Sequence, residues 1–148
     1  MNDLIKMLKR HEGVKTHCYK DHLGLETIGV GRCIAEGSLG LSDDEVEYLL
    51  ANDIARCRDE LTDEYFWFPA LNHARQAACI NLIFNLGATR FRGFVKALDA
   101  MADEDFTEAA AQFLDSRWAN QVGNRAIEVT DMIRSGQWKE GISPESPP

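Results

Sequence analysis

The stretch Glu12-Gly13-Val14-Lys15-Thr16-His17-Cys18-Tyr19-Lys20-Asp21-His22-Leu23-Gly24-Leu25-Glu26-Thr27-Ile28-Gly29-Val30-Gly31-Arg32-Cys33-Ile34 decides the fold class. Its residues do not repeat at threes and fours. Lys15 to Asp21 reads as a short strand, His22-Leu23-Gly24 as a turn, and Thr27 to Ile34 as a second strand with a bend. Glycine inside a strand marks a bulge or a close approach of backbones, and Gly29 and Gly31 fall there. Residues 14–35 are therefore expected to form a small twisted sheet.

On both sides of this sheet the pattern turns helical. Leu4, Ile5, Met7 and Leu8 predict a first helix over 2–11, ended by Gly13. Downstream, Ser42-Asp43-Asp44-Glu45 has the form of a capping box. Val46, Leu49, Leu50, Ile54, Cys57 and Leu61 then recur at helical spacing and predict a helix over 42–61. At about 1.5 Å per residue it would span about 30 Å, a length suited to a strut between two lobes. Asn72 is expected to cap a helix over 72–86 that is apolar nearly all round, hence central, with Gly87 as its stop. Gly93 is read as the start of a helix to about 102. Asp105-Phe106-Thr107-Glu108 is a second capping box, opening a helix over 106–114. Ser116 starts a short turn of helix, and Asn124 is read as the cap of a last one, to about Ser135. The tail, 139–148, is expected to be disordered. The expected class is α+β, mostly α.

The chain has 148 residues, 45% of them hydrophobic and 27% charged, an ordinary globular balance that excludes wholesale disorder and collagen-like structure. The net charge of −8 and the lack of a dominant basic face argue against a nucleic-acid partner. No apolar run approaches the roughly 18 residues that cross a bilayer, so no stable membrane insertion is expected. Met1 to Arg10 lacks the apolar core of a secretory signal, and folding in a cytoplasm is expected. Cys18, Cys33, Cys57 and Cys79 have no CxxC spacing, which disfavours a zinc knuckle. Cys57 and Cys79 are expected to be small core residues. Cys18 and Cys33 could lie on neighbouring strands, where a disulfide is possible but disfavoured in a reducing compartment. Residues 65–98 carry Arg75, Arg90, Arg92 and Lys96 and no acidic side chain, either a solvated helix face or a contact for an anionic polymer. The histidines show no ligand spacing, and Trp67, Trp118 and Trp138 are expected to anchor packing.

The chemistry concentrates in the opening stretch. Glu12 ends the first helix, Asp21 sits at the strand-to-turn junction, and Thr27 returns on the next strand. A helix end followed by a hairpin can bring all three to one edge. Two carboxyl groups across a cleft are what glycoside hydrolysis requires: one protonates the leaving oxygen, the other is ionised and stabilises the cationic transition state or activates water. A threonine hydroxyl beside the ionised carboxylate can hold that water. In a chain with 24 carboxylates the spacing alone is weak evidence.

Glu12-Gly13, Tyr19-Lys20-Asp21, Gly24 and Thr27-Ile28-Gly29-Val30-Gly31 together resemble the signature of the phage-type lysozymes. The resemblance continues in Phe84-Asn85-Leu86-Gly87, Glu108-Ala109-Ala110, Ser116-Arg117-Trp118-Ala119-Asn120-Gln121, Asn124-Arg125-Ala126 and Gly136-Gln137-Trp138, covering about residues 3–138. It implies one lysozyme-like domain over 1–138: a small sheet-bearing lobe (12–41), the linking helix (42–61), and a helical lobe (62–138) joined by the first helix, with sugar bound between. It implies a muramidase that cuts the β-1,4 bond between N-acetylmuramic acid and N-acetylglucosamine in peptidoglycan, with inversion of configuration. Glu12 matches the general acid, Asp21 the second carboxylate, Thr27 the water-holding threonine, and Arg125 an arginine paired with the acid. Gly31, Phe84, Gln112, Arg117 and Gln121 match positions that line or close the cleft. No metal or organic cofactor is implied, and a monomer is the default. The setting implied is an endolysin in a host bacterial cytoplasm, dependent on a holin to reach the wall. Lytic transglycosylation, or an inactive wall-binding protein on the same scaffold, are the alternatives.

Three departures stand out. Arg32 replaces a frequent histidine, and Asp53 is its expected acidic partner. The segment 35–41 is short. Gln112 stands where asparagine is common. The acidic balance also predicts repulsion from an anionic wall, and hence tolerance of higher ionic strength.

Overall fold

The structure, a computed structural model, describes residues 1–139. The expected disordered tail therefore lies outside the described residues, apart from Lys139. The chain groups into two compact units, Met1–Leu50 and Ala51–Pro148.

The first unit opens with helix α1 (Asn2–Glu12), which Gly13 ends in a left-handed conformation (φ 79°), its N–H donating to Lys9 O. An antiparallel sheet follows, in the order β1 (Lys15–Lys20), β2 (Glu26–Gly29), β3 (Arg32–Cys33). The predicted bent strand over 27–34 is instead two strands. Gly29, Val30 and Gly31 form the connection, and both glycines are left-handed (φ 72° and 71°). A chain that turns there needs residues without a Cβ, which is why glycine occupies both positions. The register pairs Tyr19 with Thr27 and Lys20 with Glu26, with a shift between Lys15 and Tyr19. Cys18 and Cys33 are not on neighbouring strands: β2 separates β1 from β3, and both thiols are free.

Helix α2 (Asp43–Glu64) runs three residues beyond the expected end. Its capping box is formed: Ser42 N–H donates to Glu45 Oε1 (3.1 Å), and Glu45 N–H to Ser42 Oγ (3.4 Å). Glu45 rather than Asp53 is the partner of Arg32. One guanidinium nitrogen reaches both Glu45 oxygens (2.7 and 2.8 Å) and Gly40 O (3.0 Å). Asp53 pairs with Arg56, one helical turn on. Glu45 wins because the capping box already turns its carboxylate back towards the chain that precedes the helix. Arg32 and the Ser42 hydrogen bonds hold this carboxyl at about 2.

The second unit is helical: α3 (His73–Leu86), α4 (Ala88–Arg92), α5 (Val95–Ala102), α6 (Phe106–Leu114), α7 (Arg117–Val122) and α8 (Asn124–Ser135). As its apolar pattern predicts, α3 buries Ala74, Ala78, Cys79, Ile80, Leu82 and Ile83. Helix α8 packs on α3, α6 and α7. Phe68, Phe91, Phe113, Met101 and Ile133 fill the core with Trp67 and Trp118 at its edge. Cys79 is fully buried, which pushes its thiol up to about 12, and Cys57 is half-buried against the same core. Asn72 caps α3 by accepting from Arg75 N–H (3.0 Å), and its side-chain amide also donates to Gly136 O (3.0 Å).

Two boundaries differ from the sequence reading. Gly93 does not begin a helix; it ends α4, a five-residue helix too short to show a period and marked only by buried Phe91. Asn124 is the first residue of α8 and makes no capping bond, because left-handed Gly123 (φ 60°) occupies the cap position.

Candidate functional site

The first unit carries Glu12, Asp21, Thr27 and Gly31. Gly13 stops α1 one residue after Glu12, so the carboxyl projects from the last helical turn. It lies against the β2–β3 connection: a Cβ built on Gly31 would stand 3.0 Å from Glu12 Oε2. Any larger residue at Gly31 would therefore press on this carboxyl as well as strain the backbone.

Asp21 follows the last residue of β1 and opens the turn to β2. Gly24 N–H donates to Asp21 O (2.9 Å), and Asp21 N–H to Leu25 O (2.9 Å). The Asp21 side chain folds back over this turn, Oδ1 accepting from Leu23 N–H (2.8 Å) and Leu25 N–H (2.9 Å). The Leu25 N–H does most to hold the carboxyl below the ordinary aspartate value; desolvation opposes it, and Leu23 N–H, the charge of neighbouring His22 and Gly24 N–H add to the lowering.

Thr27 sits on the central strand between Tyr19 and Cys33 and is almost wholly buried, 3% exposed. Cross-strand partners face the same side of a sheet. Thr27 thus shares a face with Tyr19, its cross-strand partner. Its hydroxyl donates to Leu25 O (2.9 Å).

The other expected site residues belong to the second unit. Phe84 is exposed on α3, 43% accessible. Next to it, Asn85 Oδ1 accepts from the indole N–H of buried Trp118 (2.7 Å). Arg117 and Gln121, on α7, line a groove of about 500 Å³ with Leu86, Arg90, Phe94 and Trp118. Gln112 is not part of this groove; it donates to Glu108 Oε1 one turn back on α6 (2.7 Å). Arg125, in the first turn of α8, is fixed to α3 by donating to Asn81 Oδ1 (2.9 Å).

The sequence reading missed Asn85 and Asn81, whose side chains orient Trp118 and Arg125. No spacing rule marks an exposed asparagine on a helix as a tie to another helix. It also missed Leu25, because the contribution of that residue comes from its peptide group. In the basic stretch 65–98, Arg75 is spent on Ile133 O (2.7 Å) and the Phe106 ring, and Arg92 on Glu64. Only Arg90 of its arginines reaches the groove. Among the described residues, no cluster of three or more His, Cys, Asp or Glu is placed to hold a metal ion, and no helix is long and apolar enough to cross a membrane.

Residues 9–133 match the model of the family described as phage lysozyme. The chain is 27% identical to "Probable T4-type lysozyme 2" of Dictyostelium discoideum, over 95% of this chain and 98% of that one. It is 30% identical to the "Endolysin" of Salmonella phage P22, over 74% and 77% of the two chains. It is also 27% identical to the "Pre-baseplate central spike protein Gp5" of Enterobacteria phage T4, over 97% of this chain and 30% of that protein.

Proposed function

The chain belongs to the phage lysozyme family, and from that premise we propose that it is a muramidase that hydrolyses the β-1,4 bond between N-acetylmuramic acid and N-acetylglucosamine in bacterial peptidoglycan. In this reading Glu12 protonates the glycosidic oxygen as the bond to C1 breaks. A water beside Asp21 and Thr27 attacks C1 from the opposite face, and its proton passes to the Asp21 carboxylate. The product is inverted at C1. By the family resemblance, Arg125 is assigned to position the acid, and Gly31, Phe84, Gln112, Arg117 and Gln121 to contact the glycan.

The observation that carries the reading is the Asp21 carboxylate. The N–H groups of Leu23 and Leu25 favour its ionised form, and the Leu25 peptide group that binds it also accepts the Thr27 hydroxyl. A lytic transglycosylase needs chiefly one acid–base glutamate and no water-holding pair, so hydrolysis is the better fit. The setting proposed is an endolysin that acts as a monomer, accumulates in the host cytoplasm and reaches the wall through a holin-made lesion.

The test is turbidity loss on outer-membrane-permeabilised Gram-negative cells, with Glu12→Gln in parallel. Wild type should clear the suspension and release reducing ends, and Glu12→Gln should not. Equal clearing by both would defeat the assignment.

A further inference from the structure

We infer that the Leu23-Gly24-Leu25 turn is a positioning element of the reaction: the Leu25 peptide group sets both the Asp21 carboxylate and the direction in which Thr27 offers hydrogen bonds. This rests on the hydrolytic reading above and deepens it.

Three hydrogen bonds meet at Leu25. Its N–H donates to Asp21 Oδ1, and its carbonyl accepts both Asp21 N–H and the Thr27 hydroxyl. Each has a consequence for a water between the two side chains. Asp21 Oδ1 is consumed by two backbone N–H groups, so Oδ2 is the oxygen left to face outward. The Thr27 proton is committed to Leu25 O, so Oγ1 has only lone pairs to present. Both partners of the water are then acceptors. The water must donate one proton to each, which leaves its own lone pair directed away from the protein, at the saccharide. A Thr27 hydroxyl free to donate would instead occupy that lone pair and quench the nucleophile. Neither Gly24 nor the Leu25 peptide group needs to touch the substrate.

Gly24 is the hinge of this arrangement. Its φ of 79° is left-handed, its N–H closes the turn on Asp21 O, and a Cβ built on it meets nothing within 4 Å. A side chain at this position acts through the backbone alone. Asparagine tolerates the left-handed region, alanine less, and a β-branched residue least.

The experiment uses the full chain with Gly24→Asn, Gly24→Ala and Gly24→Val. It measures kcat and KM on soluble peptidoglycan fragments, together with the Asp21 carboxyl titration by carbon NMR. The titration is repeated in a His22→Gln background, because neighbouring His22 also acts on the Asp21 carboxyl through its charge. Gly24→Val should lower kcat about tenfold or more with KM within about twofold, in keeping with the cost of a misplaced reacting group. Its Asp21 midpoint should move up towards the ordinary aspartate value, and Gly24→Asn should restore both. If Gly24→Val does not fold, Gly24→Ala carries the same comparison. A folded variant with unchanged kcat and an unmoved midpoint overturns the inference, and so does a loss confined to KM, which would place the turn on the saccharide. The titration needs no turnover. An inactive wild type would therefore refute the hydrolytic reading, while the midpoint would still decide whether the turn holds Asp21.

Discussion

Gly29 and Gly31 allow strain and contact to be separated in one pair of variants. Both are left-handed, at φ 72° and 71°, in the same connection between β2 and β3. A left-handed L-residue costs about 1–2 kcal/mol, so Gly29→Ala and Gly31→Ala should each lower stability by that amount. For a chain of this size that is a fall in Tm of about 3–8 °C. The added methyl meets different surroundings at the two sites. At Gly29 it has nothing within 4 Å, whereas at Gly31 it stands 3.0 Å from Glu12 Oε2, 3.3 Å from Cδ and 3.4 Å from Cγ. The Glu12 carboxyl must give way at Gly31 only. Displacing a proton donor by a few tenths of an ångström or more should cost about tenfold in kcat/KM, equivalent to about 1.4 kcal/mol of transition-state stabilisation. Thermal unfolding by circular dichroism gives the stability arm, and release of reducing ends from purified peptidoglycan gives the activity arm. The expected outcome is two similar Tm losses with an activity loss peculiar to Gly31→Ala. Equal activity losses would refute the reasoning, because strain alone would then explain both.

Glu45 titrates at about 2 in the folded chain, against an ordinary value of 4.5. A depressed carboxyl stabilises the fold above its unfolded value, and that stability is lost as pH falls from about 4.5 towards 2. Glu45→Gln should therefore flatten acid unfolding in this window, as followed by fluorescence against pH. Asp21 is also depressed, by the Leu25 N–H first of all, so activity on the acid side should persist below the pH at which an ordinary aspartate protonates; a pH–rate profile checks this. Asn72→Ala removes the cap of α3 and the tie to Gly136 O together, and should cost about 1–2 kcal/mol in denaturant unfolding. With a net charge of −8, activity on an anionic wall should rise or hold between 10 and 200 mM salt as repulsion is screened; a steady fall would contradict this.

Much of the fold could be read from local rules acting within one element. The Ser42–Glu45 and Asp105–Glu108 signals and the Asn72 cap each depend on residues three apart; the Ser42 box and the Asn72 cap form in full, whereas Asp105 accepts from Glu108 N–H but its own N–H goes to Ala100 O, so the second box is only half made. The buried face of α3 follows from an apolar run too long for anything but a central helix. What escaped the sequence depends on spatial neighbours. Arg32 was expected to meet Asp53, and only the geometry of the capping box gives it Glu45 instead. Helix α4 has five residues, one and a half turns, and so cannot display a 3.6-residue period. The Val30 connection looked like a bend because glycine allows either a bulged strand or a tight reversal. At the proposed site, spacing alone was weak, and it was the family resemblance that singled out Glu12, Asp21 and Thr27. The Leu25 peptide group that joins two of them carries no side-chain signal at all.

The most direct test of a carboxylate-held water is the anomeric form of the product. Purified peptidoglycan fragments are digested and followed by proton NMR during the first turnovers, before mutarotation. Water attack opposite the leaving group predicts muramic acid released as the α-anomer. A β-anomer would contradict the placement of the water, and a 1,6-anhydro product would show that no water attacks at all.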